Sequence, residues 1–366
     1  MRAVLRAVAT ALAVATAVAA VAGCGGGGTG TASAPANPAA NARTTSGTST
    51  TAAATTRTAA ATPRPGPPLA GIPINRWQAL PHALLSRSEV SATRVGDIAY
   101  VVGGFRGDLR STAAVERLDL RTSRWQRGVP LPQPLNHMNA VGYHGALYVL
   151  GGYTQPGDTS AGATARFWRL DPATQRWQRL PDAPVARAAA GAAVLGDRLY
   201  VAGGRNDSSP TLTSLAIYDF RTRRWRTGPP LHRGREHVAA VAAAGAVWVL
   251  GGRALGQGNF TDVERYVPGA RAWERRAPMP LARSSFQAVV AKGRIVAVGG
   301  EDAGSTFGEV DGLSLKTGRW HRLPDLPSAR HGLGLVAAGP LVWAIEGGPT
   351  AGLTTSDTVQ RLRLGR

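Results

Sequence analysis

One cysteine, Cys24, stands in a chain of 366 residues. That excludes a disulfide within the chain and any zinc site built on several thiolates. Lysine is almost as scarce, since Lys292 and Lys316 are the only two. The base is therefore carried by arginine, and the net charge is +20. A chain rich in Ala, Gly and Arg and poor in Lys is what GC-rich coding DNA produces, so part of that charge carries no functional information. No basic run is interleaved with aromatics, which argues against a nucleic-acid partner. A nucleophile elbow, a phosphate loop and a paired-carboxylate motif are also missing, so the motifs give catalysis no direct support.

What is present begins with an address. Arg2 and Arg6 precede an apolar run from Ala7 to Val21, the layout of a secretory signal peptide over residues 1–23. The run ends in Val21-Ala22-Gly23-Cys24, which resembles the bacterial lipobox. That resemblance implies a lipidated Cys24 as the mature N-terminus and a position on the outer side of a bacterial cytoplasmic membrane. Residues 24–72 follow as a tether of Gly, Ala, Thr, Ser and Pro, without an acidic residue between Gly25 and Pro68. Such a composition buries too little apolar surface to offset chain entropy. Its r.m.s. reach is about 35–40 Å.

From residue 73 to residue 366 the chain repeats. "YVVGGFRG" at 100 returns as "YVLGGYTQ", "YVAGGRND", "WVLGGRAL", "VAVGGEDA" and "WAIEGGPT". The glycine pairs begin at 103, 151, 203, 251, 299 and 347. Trp77, Trp125, Trp177, Trp225, Trp273 and Trp320 recur in phase. Ten residues after each Trp comes Arg87, Arg187, Arg235, Arg283 or Arg330, with Leu135 as the exception. Within each unit, short apolar runs alternate with turn dipeptides such as Gly96-Asp97, His144-Gly145, Gly196-Asp197 and Lys292-Gly293, which is hairpin chemistry. Four short strands per unit at a period near 50 predict an all-β propeller.

The succession Arg, strand, turn, strand, Gly-Gly, loop, strand, turn, Trp resembles the kelch repeat over all six units. The resemblance implies a six-bladed kelch-type β-propeller. The last glycine pair is followed by a single strand, and Trp77 has no glycine pair before it. The N-terminal strand, residues 75–80, is therefore expected to complete the last blade and close the ring.

In such a ring the loops after each glycine pair share one face. The marker arginines are expected to converge on that face near the axis, with Arg205 and Arg253 beside them. Together Arg87, Arg187, Arg235, Arg283, Arg330, Arg205 and Arg253 would form a basic pocket for a carboxylate, an anionic glycan or an acidic protein segment. The competing reading is that these arginines bond backbone carbonyls between blades. His137, His237 and His331 begin alternate blades, but their offsets from the marker differ, so no metal or other cofactor is assigned. The resulting expectation is a monomeric, membrane-anchored extracytoplasmic binding module rather than an enzyme. The kelch family includes galactose oxidase, whose copper site needs a Cys-linked Tyr that this chain cannot supply. It also includes exported sialic acid mutarotases. Glu301 and Glu89, near several arginines, are candidates for acid/base work, and that precedent implies an alternative, a sugar-acid mutarotase or related carbohydrate-active enzyme using Glu301 with Arg253 and Arg283.

Overall fold

The computed structural model describes residues 71–154 and 161–365. The signal peptide, Cys24 and nearly all of the tether lie outside the described residues. The end of the expected tether is revised: Ile72 is buried in the core between the last and first blades, and its carbonyl accepts a 3.0 Å bond from Arg363.

Among the described residues the regular structure is strand and turn. Six four-stranded antiparallel sheets follow one another along the chain. In the first blade, Ser91–Val95 pairs with Ile98–Val102, which pairs with Val115–Asp119, which pairs with Trp125–Arg127. The turn dipeptides named above close the inner hairpins, with Gly96, Gly145, Gly196 and Gly293 at positive φ. The last blade mixes the termini. Trp77–Ala79 pairs antiparallel with Val359–Arg363, Trp77 opposite Leu362, and becomes the outer strand of the sheet formed by Gly334–Ala338 and Leu341–Ile345.

The core lies between neighbouring sheets, not within one. Val336, Trp343 and Ile345 of the last blade pack with Ala99, Val101 and Leu118 of the first. Equivalent clusters fill the other seams, for example Tyr200, Ile217, Val247 and Trp273 between the third and fourth blades. Each second strand is buried on both faces, as in Val247 and Val249 against Trp248 and Leu250. That is why these strands read as continuous apolar runs.

The repeated tryptophans brace the outer rim. Each indole N–H donates to a carbonyl of the preceding blade's exit segment: Trp125 to Pro81, Trp225 to Pro181, Trp273 to Pro229 and, across the closure, Trp77 to Pro324 at 2.8 Å.

The repeated arginines brace the inner rim, and this corrects the expected basic pocket. Arg87, Arg187, Arg235, Arg283 and Arg330 are 0–1% exposed. Each side chain runs back beneath its own blade. The Nη1 of Arg235 donates to the carbonyls of Gly251 and Asp262 at 2.8 and 3.0 Å, and its Nη2 to Glu264 Oε1 at 2.8 Å. Arg187 likewise reaches Gly203, the Ser214 carbonyl and the Ser214 hydroxyl. Meanwhile the arginine's own carbonyl accepts the N–H of the previous blade's second glycine, as in Gly152 to Arg187 and Gly252 to Arg283. One residue thus ties two blades, and its charge is spent inside the wall.

The same contact explains the first glycine of the pair. It sits at φ between +56° and +69°. A Cβ there would lie 2.4–2.8 Å from the next blade's marker carbonyl, Leu135 in one case and an arginine in four. Only a residue without a side chain fits easily. In the last blade the pair is shifted by one. Arg330 bonds the carbonyl of Glu346, sixteen residues on as in the other blades, and the N–H of Gly347 donates to Arg87. Glu346, at φ +57°, therefore occupies the first-glycine position, and Gly347-Gly348 is not the structural equivalent of the other pairs.

Candidate functional site

Immediately after each marker the chain turns at the axis. The second residue past the marker is Glu89, His137, Ala189, His237, Ser285 or Gly332, all at φ between +50° and +55°. Backbone bonds link these positions around the ring: His137 N–H to Glu89, Ala189 to His137, His237 to Ala189 and Gly332 to Ser285. The first residue past the marker pairs instead with the residue after the glycine pair, as in Glu236 with Arg253 and Ser284 with Glu301. Two successive positions per blade therefore feed the axial mouth, and four blades put a titratable residue in at least one of them.

The result is a cavity of about 280 Å³ lined by Glu89, His137, His237, Arg253, Glu301 and His331, with Asp302 and Ala351–Leu353 at its lip. Glu89, His137 and His237 also line a channel of about 500 Å³ that continues along the inner strands. They therefore stand between the mouth and the channel. The three histidines and Glu89, Glu236 and Glu301 are 2–9% exposed.

The contacts within the cluster are dense. Arg253 donates from Nε to Glu236 at 2.7 Å and from Nη1 to Glu301 Oε1 at 3.0 Å. The Ser285 hydroxyl also donates to Glu301 Oε1, at 2.9 Å. His331 Nδ1 lies 3.2 Å from Glu89 and 3.4 Å from Glu301. His137 Nε2 lies 3.3 Å from Glu89 Oε2. The rings of His137 and His237 meet edge to face with centroids 4.7 Å apart. Burial pushes the Glu89 carboxyl up, but His137, His331 and His237 outweigh it and hold the group well below the usual carboxylate range. The same contest lowers Glu236 to about 2, with His237 and then Arg253 as the opposing charges. Burial would lower His331, yet Glu89 and Glu301 raise it on balance.

Of the residues expected in the basic pocket, only Arg253 lines this cavity, together with the acid/base candidates Glu89 and Glu301. Arg205 is half-buried and pairs by backbone with Ala188. Arg283 lies inside the wall, so it is not available to assist Glu301. Phe105 and Tyr153, which follow their glycine pairs, are fully buried and pack edge-on against His137. The second blade's glycine pair lies 52 residues before the next instead of 48, and the longer loop that this implies, residues 153–166, falls partly on residues 155–160, outside the described residues. Sequence reasoning named Glu89 and the three histidines apart, set the histidines aside as a metal set, and missed Glu236 and the grouping of all five. The signal was available: His137 and His237 share the offset of twelve from their tryptophans, where a purely structural position would carry a small residue like Ala189 or Gly332.

A family model, the KLHDC2/KLHL20/DRC7 Kelch-repeats domain, matches residues 75–231 and 136–348. Kelch-like protein terF of Aspergillus terreus is 31% identical over 163 residues, 40% of this chain and 36% of that protein. Beta-scruin of Limulus polyphemus is 28% identical over 153 residues, 40% of this chain and 17% of its own length. The matches thus span about a third or less of these relatives. A solved structure of YjhT superposes with a TM-score of 0.66 at 18% identity, covering 76% of this chain and 95% of that one. This is a likeness of fold.

Proposed function

Because the chain belongs to the kelch-repeat family, we propose that it is a binding module that takes a polar group of a partner into the axial mouth, while a lipid on Cys24 holds the propeller outside the cytoplasmic membrane. The observation that carries this is the convergence of Glu89, Glu301, Arg253 and three imidazoles in one cavity, with Glu236 buried behind Arg253 and His237. Buried polar groups at this density cost stability unless each is paired, and a structural axis needs none of them. A cavity of about 280 Å³ suits one side chain or one sugar-sized group and is too small for a domain. Three carboxylates against one guanidinium favour a ligand group rich in hydrogen-bond donors. An anionic glycan or carboxylate is less well served, because the five marker arginines are buried in the wall.

A photo-reactive residue at the exposed lip position Ala303 should give a covalent adduct in the cell envelope that one placed at the exposed Arg124, just before the outer strand of the first blade, does not. Adducts from Arg124 alone would contradict the reading. A Cys24→Ser chain should leave the membrane fraction, and full retention would refute the anchor.

One observation favours an enzymatic alternative. Glu301 is held by Arg253 and Ser285 within the cavity, an arrangement able to position a carboxylate for proton transfer. Accelerated anomerisation of a sialic acid, abolished by Glu301→Gln, would establish a sugar-acid mutarotase. An unaccelerated reaction would exclude that substrate.

A further inference from the structure

We propose that Glu89, His137 and His237, joined by His331 and Glu301, bind one divalent transition-metal ion of the zinc class on the propeller axis. One ligand atom from each of Glu89, His137 and His237 lies within 4.8 Å of the others, and the same holds for Glu89, Glu301 and His331. Glu89 belongs to both groups, with Oε2 toward His137 and Oε1 toward His331, so its carboxylate joins the two sets.

The orientation of the imidazoles carries the inference. Each of the three has one nitrogen tied to an acceptor on the side away from the cavity. His137 Nδ1–H donates to Asn136 Oδ1 at 2.5 Å. His237 Nδ1–H donates to the Glu236 carboxylate. His331 Nε2–H donates to the Thr350 carbonyl at 3.1 Å. Where the rings are charged, the inner nitrogens of His137 and His331 donate to Glu89; once that inner proton is lost, to alkali or to a bound cation, Nε2 of His137, Nε2 of His237 and Nδ1 of His331 present lone pairs. The inner nitrogens of His137 and His331 face the carboxylate of Glu89. Outer acceptors that fix the tautomer and raise the basicity of the inner nitrogen are what a metal-binding histidine requires. The acceptor for His237 is itself a carboxylate, and Arg253 secures that carboxylate in turn.

Charge points the same way. Glu89, Glu236 and Glu301 against Arg253 leave two formal negative charges in a buried site when the imidazoles are neutral. A divalent cation cancels them. Imidazole nitrogens exclude a site made for Ca²⁺ or Mg²⁺, which prefer all-oxygen shells. Thiolate and thioether donors are absent from the lining, which excludes Cu(I). The remaining class is Zn²⁺ and its neighbours with mixed nitrogen and oxygen ligands. This inference stands on the imidazole geometry and does not require a partner at the mouth.

The test uses the full-length chain in detergent, stripped by a chelator and titrated with Zn²⁺ in competition with a chromophoric chelator. One ion per chain is expected. His137→Asn with His237→Asn should abolish it, and Glu236→Gln or Asn136→Ala should weaken it by about 10- to 100-fold. His82→Ala, which breaks an exposed pair with Asp357, should leave it unchanged. Should the double variant fail to fold, Co²⁺ added to the unaltered chain decides: visible d–d bands of a nitrogen-ligated ion support the site, and a spectrum of free aqueous Co²⁺ overturns it. Stoichiometry below one, or Zn²⁺ affinity unmoved by the double variant, overturns it as well.

Discussion

Replacing Arg235 by Met separates an arginine that braces the ring from one that awaits a ligand. Met keeps length and apolar bulk, so the main loss is polar. Two carbonyls, of Gly251 and Asp262, lose their donor, at about 1 kcal/mol each. Glu264, 1% exposed, loses the cation at 2.8 Å and keeps only His232. Removing one member of a buried ion pair costs about 3–5 kcal/mol, so the total is roughly 5–7 kcal/mol. At about 2 °C per kcal/mol for a domain of this size, the melting temperature should fall by roughly 10–14 °C. Arg187→Met supplies the contrast. Its partners are neutral oxygens of Gly203 and Ser214, and burial without a counter-ion lowers its pKa to about 10. Losing those bonds while releasing a poorly solvated cation should cost only about 1–3 kcal/mol, a fall of roughly 2–6 °C. Adding Glu264→Gln to Arg235→Met should recover about half of the loss. Differential scanning fluorimetry of the three variants reads all of this. Equal falls for Arg235→Met and Arg187→Met, or no recovery in the double variant, would refute the brace as described.

Two further outcomes follow from the closure of the ring. Glu346 and Glu116 share Arg87, at 2.8 and 3.1 Å, so one guanidinium faces two buried carboxyls. Burial raises Glu346 from its ordinary 4.5 to about 8 despite Arg87. A pKa that is higher when folded gives stability that is complete below about 4.5 and lost as pH rises through about 8, on the order of 5 kcal/mol in all. Glu346→Gln should flatten the fall in melting temperature across that interval, and an unchanged pH profile would contradict it. Trp77→Ala should destabilise the propeller by about 3–5 kcal/mol, because Trp77 is 8% exposed and joins the two chain ends. Trp125→Ala, at a half-buried indole, should cost less; an equal cost would count against closure by the N-terminal strand.

The fold was legible because three markers repeat in phase, and each has a physical cause. The tryptophan bonds the preceding blade, the arginine bonds its own blade and the one before, and the first glycine makes room for the arginine's carbonyl. The direction of the arginine side chains was not legible. Phase places them at the inner rim, but the chain turns there, and the guanidinium goes to the carbonyl sixteen residues ahead instead of to the axis. The shift in the last blade was hidden because Gly347-Gly348 looks like the other pairs. The tryptophan spacing, 47 between Trp273 and Trp320 and 48 in most other units, already holds the missing residue. The axial cluster was half legible: Glu301, Glu89 and Arg253 were named, whereas Glu236 carries no motif and His331 arrives from the neighbouring position of its blade.

The proton positions on the axial histidines test the central claim, that three imidazoles turn their unprotonated nitrogens into one cavity. Long-range ¹H–¹⁵N correlation of ring nitrogens, on metal-free chain at mildly alkaline pH where neutral imidazole predominates, assigns each tautomer. The account predicts protonated Nδ1 on His137 and His237, bonded to Asn136 and Glu236, and protonated Nε2 on His331, bonded to Thr350. Protonated Nε2 on His137 and His237 would place hydrogens where lone pairs are required and would contradict it.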